Sequence, residues 1–203
     1  MKWLIASDIH GSAHFCRLLT ERFAAEQADR LLLLGDLLYH GPRNDLPAEY
    51  APKTVIALLN PLADRILCVR GNCEAEVDQM VLDFPVLADY ALISEGEVQI
   101  FATHGHVYHA ENLPKLRQGD ILLYGHTHIP LCAESGRHVC LNPGSVSIPK
   151  EGFSPVPAVY RVNSRFRRLP SVPAKRDACC AAMSQCRYLS AWHPRHIRYS
   201  IQK

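Results

Sequence analysis

Five apolar runs in this chain each stop on side chains able to hold a metal ion. They end on Asp8-Ile9-His10-Gly11, Gly35-Asp36, Gly71-Asn72, Thr103-His104-Gly105-His106 and Gly125-His126-Thr127-His128. Carboxylates, imidazoles and an amide without an obligatory thiolate suit a working manganese, iron or zinc site better than a structural zinc. Along an extended segment side chains i and i+2 point the same way. Asp8 and His10 can then reach one ion together. His126 and His128 can do the same, or serve two neighbouring ions. Asp36 is a lone carboxylate whose two oxygens can bridge a metal pair, and Asn72 offers a neutral amide oxygen. Any one of these motifs alone is more often a turn. All five in order, each at a strand end with a glycine nearby, form a specific signal.

The elements that must position these groups follow a repeated rhythm. Lys2 to Ala6 reads as a short strand. A helical pattern follows, with Phe15, Leu18, Leu19 and Phe23 on one face and Ser12 as N-cap. RLLLLGD is a continuous apolar run, the mark of a strand covered on both faces. A polar loop containing HGPRN leads to a second helical pattern through Val55, Ile56, Leu58, Leu59 and Leu62. RILCVRGN is a third strand, and EAEVDQMVLDF a short helix that Glu74 is expected to introduce, since a carboxylate favours a helix N-terminus. Then the rhythm changes: EVQIFATHGH, DILLYGHTH and HVCLNPGSV read as strands with short connections, and PAVYRV as one more. This order predicts a layered α/β fold with partly parallel sheets. In such folds ligands bind outside the carboxyl ends of the strands, where the five motifs stand.

Taken together, DIHG, GD, GN, HGH and GHTH resemble the calcineurin-like metallophosphoesterases. The match runs through NPGS at residues 142–145. DIHGS, HGPRN, VRGNC, EVDQM, ENLP and NPGSVSIPK draw it towards the YfcE-type bacterial phosphodiesterases of that family. The resemblance implies an α/β four-layer αββα sandwich of two mixed sheets flanked by helices, with a dinuclear metal site between the sheets. Carried over by motif, Asp8, His10, Asp36 and His128 would hold one ion, and Asp36, Asn72, His104 and His126 the other. Two divalent ions are implied, manganese first, with zinc, iron, nickel or magnesium as the other choices. The implied activity is hydrolysis of a small-molecule phosphodiester by a water or hydroxide that the two metals activate. The alternatives are a phosphomonoesterase, or a protein-interaction scaffold on the same fold, as in the retromer subunit that resembles this subfamily.

Other residues divide between chemistry and structure. In many members of the family the motif Gly-Asn-Cys reads Gly-Asn-His, and that histidine is proposed to help the leaving group depart. Cys73 stands in its place, as it does in the YfcE-like branch, and is a poorer proton donor near neutral pH. His106 is a catalytic candidate beside the ligand His104, or a structural histidine close by. His40 and Arg43 are substrate-binding candidates, the guanidinium being suited to a phosphate or another anion. Their alternative is a surface loop held by Pro42 and Asn44. Ser145 is expected to shape a turn and not to act as a nucleophile.

Composition bounds the rest. The chain has 203 residues, 48% of them hydrophobic, enough for one globular domain with a core. The N-terminus, MKWLIASDIHG, lacks the apolar length of a signal peptide, and no run approaches a membrane helix. A cytoplasmic location and no membrane contact are expected. Five of the 8 cysteines lie scattered in or beside apolar runs, as free thiols in a reducing compartment would. Residues 1–150 hold 12 Lys and Arg against 18 Asp and Glu, a balance of −6, whereas residues 151–203 hold 10 against 2, a balance of +8. The expected division is a metallophosphoesterase domain over 1–162 and a basic Arg/Pro/Cys-rich tail over 163–203, disordered or loosely packed. The tail's composition also fits a shifted reading frame. Neither a nucleic-acid contact through Arg165, Arg167 and Arg168 nor a zinc site from Cys179, Cys180, Cys186, His193 and His196 matches a strong pattern. Oligomerisation is left open.

Overall fold

The computed structural model describes residues 1–135, 138–153 and 158–161. The 163–203 tail, with its arginine cluster and cysteine–histidine set, lies outside the described residues.

The chain runs β1 (Lys2–Ala6), α1 (Ala13–Ala25), β2 (Arg30–Leu33), α2 (Pro52–Leu59), a 3-10 helix (Asn60–Arg65), β3 (Ile66–Cys68) and α3 (Glu76–Gln79). Then come β4 (Tyr90–Glu95), β5 (Val98–Thr103), β6 (Ile121–Leu123), β7 (Leu131–Ser135), β8 (His138–Asn142) and β9 (Ala158–Arg161). Two sheets form, one ordered β3-β2-β1-β9 and the other β4-β5-β6-β8-β7. β1, β2 and β3 are parallel, with Leu4 opposite Leu31 and Leu31 opposite Ile66, and β9 closes that sheet antiparallel to β1. In the second sheet β5, β6 and β8 are parallel, and β4 and β7 add antiparallel edges.

The apolar runs are continuous because both faces of each central strand are covered. Strand side chains alternate. Leu4, Ala6, Leu31 and Leu33 therefore pack on one side against Cys16, Leu19 and Phe23 of α1 and Val55 and Leu59 of α2. Trp3, Ile5, Leu32 and Leu34 face the other way, onto Ile100, Ala102, Ile121, Leu123 and Leu141 of the second sheet. The outer face of that sheet carries Phe101, Leu122, Tyr124 and Cys140, covered by Tyr108, Ala110, Leu113 and Leu116. This cover is an irregular segment, held by Asn112 Nδ2 donating to the Val107 carbonyl at 2.8 Å. The fold is the expected mixed α/β arrangement of two sheets flanked by helices. No helix among the described residues is long and apolar enough to cross a membrane.

Ser12 caps α1 as expected, its Oγ accepting from the Phe15 amide at 3.3 Å. β4 and β7 are not among the strands expected from the sequence. Both are edge strands of the second sheet, and β4 leaves its apolar Tyr90 and Leu92 exposed. β4 is completed by a hairpin turn at Gly96, whose φ of 63° suits glycine.

Candidate metal centre

The five loops after β1, β2, β3, β5 and β6 converge on one buried cluster. Asp8, His10, Asp36, His104 and His128 are all almost fully buried. On one side Asp8 Oδ1 lies 3.2 Å from His128 Nε2 and 3.6 Å from His10 Nε2, and the two imidazole nitrogens are 3.2 Å apart. On the other side His104 Nε2 lies 3.1 Å from Asn72 Oδ1 and 3.2 Å from His126 Nδ1. Asp36 stands between, its Oδ2 3.5 Å from His104 Nε2 and 3.7 Å from His10 Nε2. The histidines of GHTH thus part company, His128 towards Asp8 and His126 towards Asn72.

Extended-strand alternation is not what brings these groups together. Asp8, His10, Asp36, His126 and His128 all have φ between 49° and 65°, in the left-handed region. For residues with a Cβ this conformation costs about 1–2 kcal/mol each. Such strain persists only where the surroundings over-determine it, and it concentrates at functional sites. Here the surroundings are hydrogen bonds between loops. The Asp8 amide donates to the Gly35 carbonyl at 3.1 Å and the His10 amide to the Asp36 carbonyl at 2.8 Å, extending the β1–β2 pairing past the strands. Ser145 and Ser147 both donate their hydroxyls to the Asp8 carbonyl, at 2.9 and 2.7 Å. Asn142, fully buried, donates to the Gly125 carbonyl at 2.7 Å and to Thr127 Oγ1 at 3.1 Å. The NPGS segment is therefore a clamp on the DIHG and GHTH loops, and Ser145 is a turn residue as expected.

The orientation of the histidines bears on what the cluster can bind. The Nδ1 atoms of His10, His104 and His128 lie 2.8, 2.6 and 2.8 Å from the carbonyls of Tyr39, Leu34 and Ile148. A carbonyl accepts only, so each Nδ1 is the N–H donor and each Nε2 offers a lone pair to the centre. At the first position two Nε2 lone pairs and Asp8 Oδ1, buried without a hydrogen-bond partner, face one another. Three acceptors with no donor need a cation. The residues present therefore fit divalent metal ions, and Asp8–His10–His128 and Asp8–Asp36–His104 both meet the spacing of a metal-binding group.

Without a cation, protons respond to the same field. Burial works against ionisation of Asp8, but contacts from His10 and His128 outweigh it and hold the carboxyl far below its usual range. Burial likewise opposes ionisation of Asp36, and the His104 contact and charge bring its pKa down. For His104 burial alone would lower the pKa, but Asp36 and the charge of Asp8 raise it to about 9. His126 moves the other way, to about 4, through burial and the neighbouring His104 charge.

Glu74 does not open a helix. It is buried, two residues before α3 begins, and its carboxylate accepts from three backbone amides. Oε2 takes the Asp36 amide at 2.9 Å and the Gly71 amide at 2.5 Å, and Oε1 takes the Leu37 amide at 2.7 Å. A carboxylate just past a metal-ligand motif gave no signal that distinguished this role. Gly71 is required by the same crowding: a Cβ there would lie 2.1 Å from Asp36 Oδ1 and 2.7 Å from Glu74 Oε2.

The remaining candidates separate. Cys73 and Arg43 line the pocket above the cluster together with His10, Asp36, Asn72, His126 and His128. The Cys73 amide donates to Asp36 Oδ1 at 2.9 Å. Burial and the nearby Asp36 push its thiol well above the ordinary range, so it keeps its proton at neutral pH. The His40 ring is set edge-on between Tyr39 and Tyr50, with centroids 4.8 and 5.2 Å away, and is not part of the pocket lining. His106 is exposed as a residue, but its imidazole, with its centroid 5.5 Å from that of His104, is partly desolvated, and this and the His104 charge depress its pKa. Lys150, at the end of the NPGSVSIPK segment and not among the expected site residues, also lines the pocket.

Comparison with known proteins agrees with the fold. Over 152 residues the chain is 50% identical to phosphodiesterase YfcE of Escherichia coli K12, a match spanning 75% of this chain and 83% of that protein. It is 26% identical over 161 residues to the probable metallophosphoesterase YsnB of Bacillus subtilis, 74% of this chain and 78% of that one. The solved structure of YfcE, a phosphoesterase from E. coli, superposes with a TM-score of 0.77 at 44% identity, covering 83% of this chain and 96% of that one. Residues 1–165 match the calcineurin-like phosphoesterase superfamily domain, and the chain belongs to that family.

Proposed function

We propose that the chain is a cytoplasmic phosphodiesterase whose unit over residues 1–162 works with two divalent ions, manganese foremost. The observation that carries this is Asp36, its Oδ2 within 3.7 Å of a ring nitrogen from each of two ligand groups, Asp8–His10–His128 and Asn72–His104–His126. Likeness to phosphodiesterase YfcE supports the substrate class. The free thiols Cys16, Cys68 and Cys140, all buried, fit a reducing compartment. Bound ions supply Lewis acidity towards the phosphate oxygens and lower the pKa of a water that can attack phosphorus. The protein's own part is positioning. The carbonyl-anchored histidines hold their Nε2 lone pairs inward, Asp8 and Asp36 carry the balancing charge, and left-handed turns fix Asp8, His10, Asp36 and His128 before substrate arrives. Arg43 offers a guanidinium to the anionic substrate from the pocket wall.

Cys73 sits where a leaving-group acid would be useful, yet its thiol releases a proton poorly. Substrates with good leaving groups need little such help. Cys73→His should therefore raise hydrolysis of alkyl phosphodiesters, about tenfold or more, while changing that of aryl diesters much less, since general-acid catalysis is worth about 10²–10⁴ where it is needed. Equal effects on the two ester classes would count against a leaving-group role for position 73.

Metal content by mass spectrometry, combined with a panel of aryl phosphodiesters and monoesters, tests the whole reading. Loaded with manganese, the protein should split the diesters faster than the monoesters. Chelation should abolish turnover and lower the melting temperature by about 5 °C or more, because saturating ions bind only the folded state. A purified protein that takes up no metal and hydrolyses neither class would be a scaffold and not an enzyme.

A further inference from the structure

We propose that the pocket selects phosphodiesters carrying a second anionic group, a carboxylate or a phosphate, gripped by Arg43 and Lys150. This deepens the phosphodiesterase reading and rests on it. Both side chains line the same pocket of about 430 Å³ as the metal cluster. They come from separate segments, and each segment is tied to a histidine of the Asp8–His10–His128 group. The Tyr39 carbonyl accepts from His10 Nδ1 at 2.8 Å, and Arg43 follows in the loop closed by Asn44 Nδ2 donating to the His40 carbonyl, also at 2.8 Å. The Ile148 carbonyl accepts from His128 Nδ1 at 2.8 Å, and the Lys150 amide donates to the His128 carbonyl at 3.1 Å. Two cations are thereby set at the mouth of one half of the site.

Among the described residues neither cation is neutralised. Among the described residues no carboxylate pairs with the Arg43 guanidinium or the Lys150 ammonium, although Arg17, Arg22 and Arg117 all have acidic partners. A phosphodiester carries one negative charge, which the metal centre already addresses. Two further unpaired cations in the same pocket exceed that need and match a second anion. A guanidinium fork suits a planar carboxylate or a phosphate, and an ammonium adds a mobile point charge. Among the described residues the pocket lining holds no Phe, Tyr or Trp ring on which a nucleobase could stack. The favoured substrate is therefore a compact diester with an anion on one alcohol.

Two measurements on the manganese-loaded protein decide it. By calorimetry, carboxyethylphosphonate and ethylene bisphosphonate are compared with propylphosphonate, which has a similar chain and no second charge. At least one dianionic probe should bind about tenfold tighter or better, the gain expected of two partly exposed charge-assisted contacts. In turnover, para-nitrophenyl carboxyethyl phosphate should exceed para-nitrophenyl propyl phosphate in kcat/KM by a similar ratio, expressed mainly in KM. Arg43→Gln and Lys150→Gln should each shrink both ratios, and the double variant should bring them close to one. Ratios near one in the unaltered protein, or ratios that survive the double variant, overturn the proposal. If neither diester is hydrolysed but the binding preference stands, the phosphodiesterase reading fails and the anion subsite remains. If both diesters are split with equal efficiency, the subsite fails and the hydrolase reading remains.

Discussion

Asp36→Asn should cut phosphodiester hydrolysis by about 10³-fold or more, equivalent to about 4 kcal/mol of lost transition-state stabilisation. The amide preserves the volume and can still accept from the Cys73 amide, the contact that Asp36 Oδ1 makes at 2.9 Å. What disappears is the negative charge between His104 and His10, at 3.5 and 3.7 Å from Oδ2. Metal content should fall with turnover, because Asp36 Oδ2 lies within 3.7 Å of a ring nitrogen of each ligand group. A second readout comes from the chelated protein. The folded pKa of His104 is raised to about 9 from an ordinary 6.5, with Asp36 foremost among the groups that lift it against burial. A histidine whose folded pKa is raised contributes stability that is complete below pH 6.5 and is lost as the pH rises through about 9. Chelated wild-type protein should therefore lose stability across that window, and chelated Asp36→Asn should lose less. A variant that kept wild-type turnover and metal content would remove Asp36 from the centre of the mechanism.

Glu74→Ala should destabilise the fold by about 3 kcal/mol or more, the largest effect expected from a residue that touches no substrate. Its carboxylate is the acceptor for three amides, those of Asp36, Leu37 and Gly71. A buried N–H left without a partner costs about 1–3 kcal/mol, and a domain of this size has only about 5–15 kcal/mol in hand. Glu74→Gln should recover little, since its NH₂ would face a backbone donor. Because the Asp36 amide is one of the three, loosening it should also weaken metal binding, so activity should fall in the surviving folded fraction. Urea denaturation of the chelated proteins measures the first effect and metal titration the second. A Glu74→Ala protein that unfolds within about 1 kcal/mol of wild type would mean that water replaces the carboxylate at little cost.

Much of the site was legible before any coordinates. Strand ends rich in Asp, His and Asn next to glycine named all seven candidate ligands, and those seven side chains converge in the structure. The central strands were equally plain, because RLLLLGD and RILCV are covered on two faces and leave an unbroken apolar signature. The edges were not: β4 leaves apolar Tyr90 and Leu92 exposed, and the short stretches YALI and LCA carry no period that separates an edge strand from a loop. Nor does a sequence record loop pairing. Arg43 and His40 stand three residues apart in one motif, yet one faces the pocket and the other is wedged between tyrosines.

The sequence by itself determined which groups could bind metal, that they stand at the ends of strands, and which family they resemble. Those properties are local, written in residue type, spacing and apolar period. The family resemblance implied how the candidate ligands divide into two groups; the tertiary structure decided what holds them there. Five of the seven sit in left-handed turns where strand alternation no longer governs direction. It also decided that Glu74 supports Asp36 from beneath, and that Lys150 joins Arg43 over the same pocket. Each of these depends on contacts between segments tens of residues apart, such as Ser145 with Asp8 across 137 positions, and no local pattern encodes them.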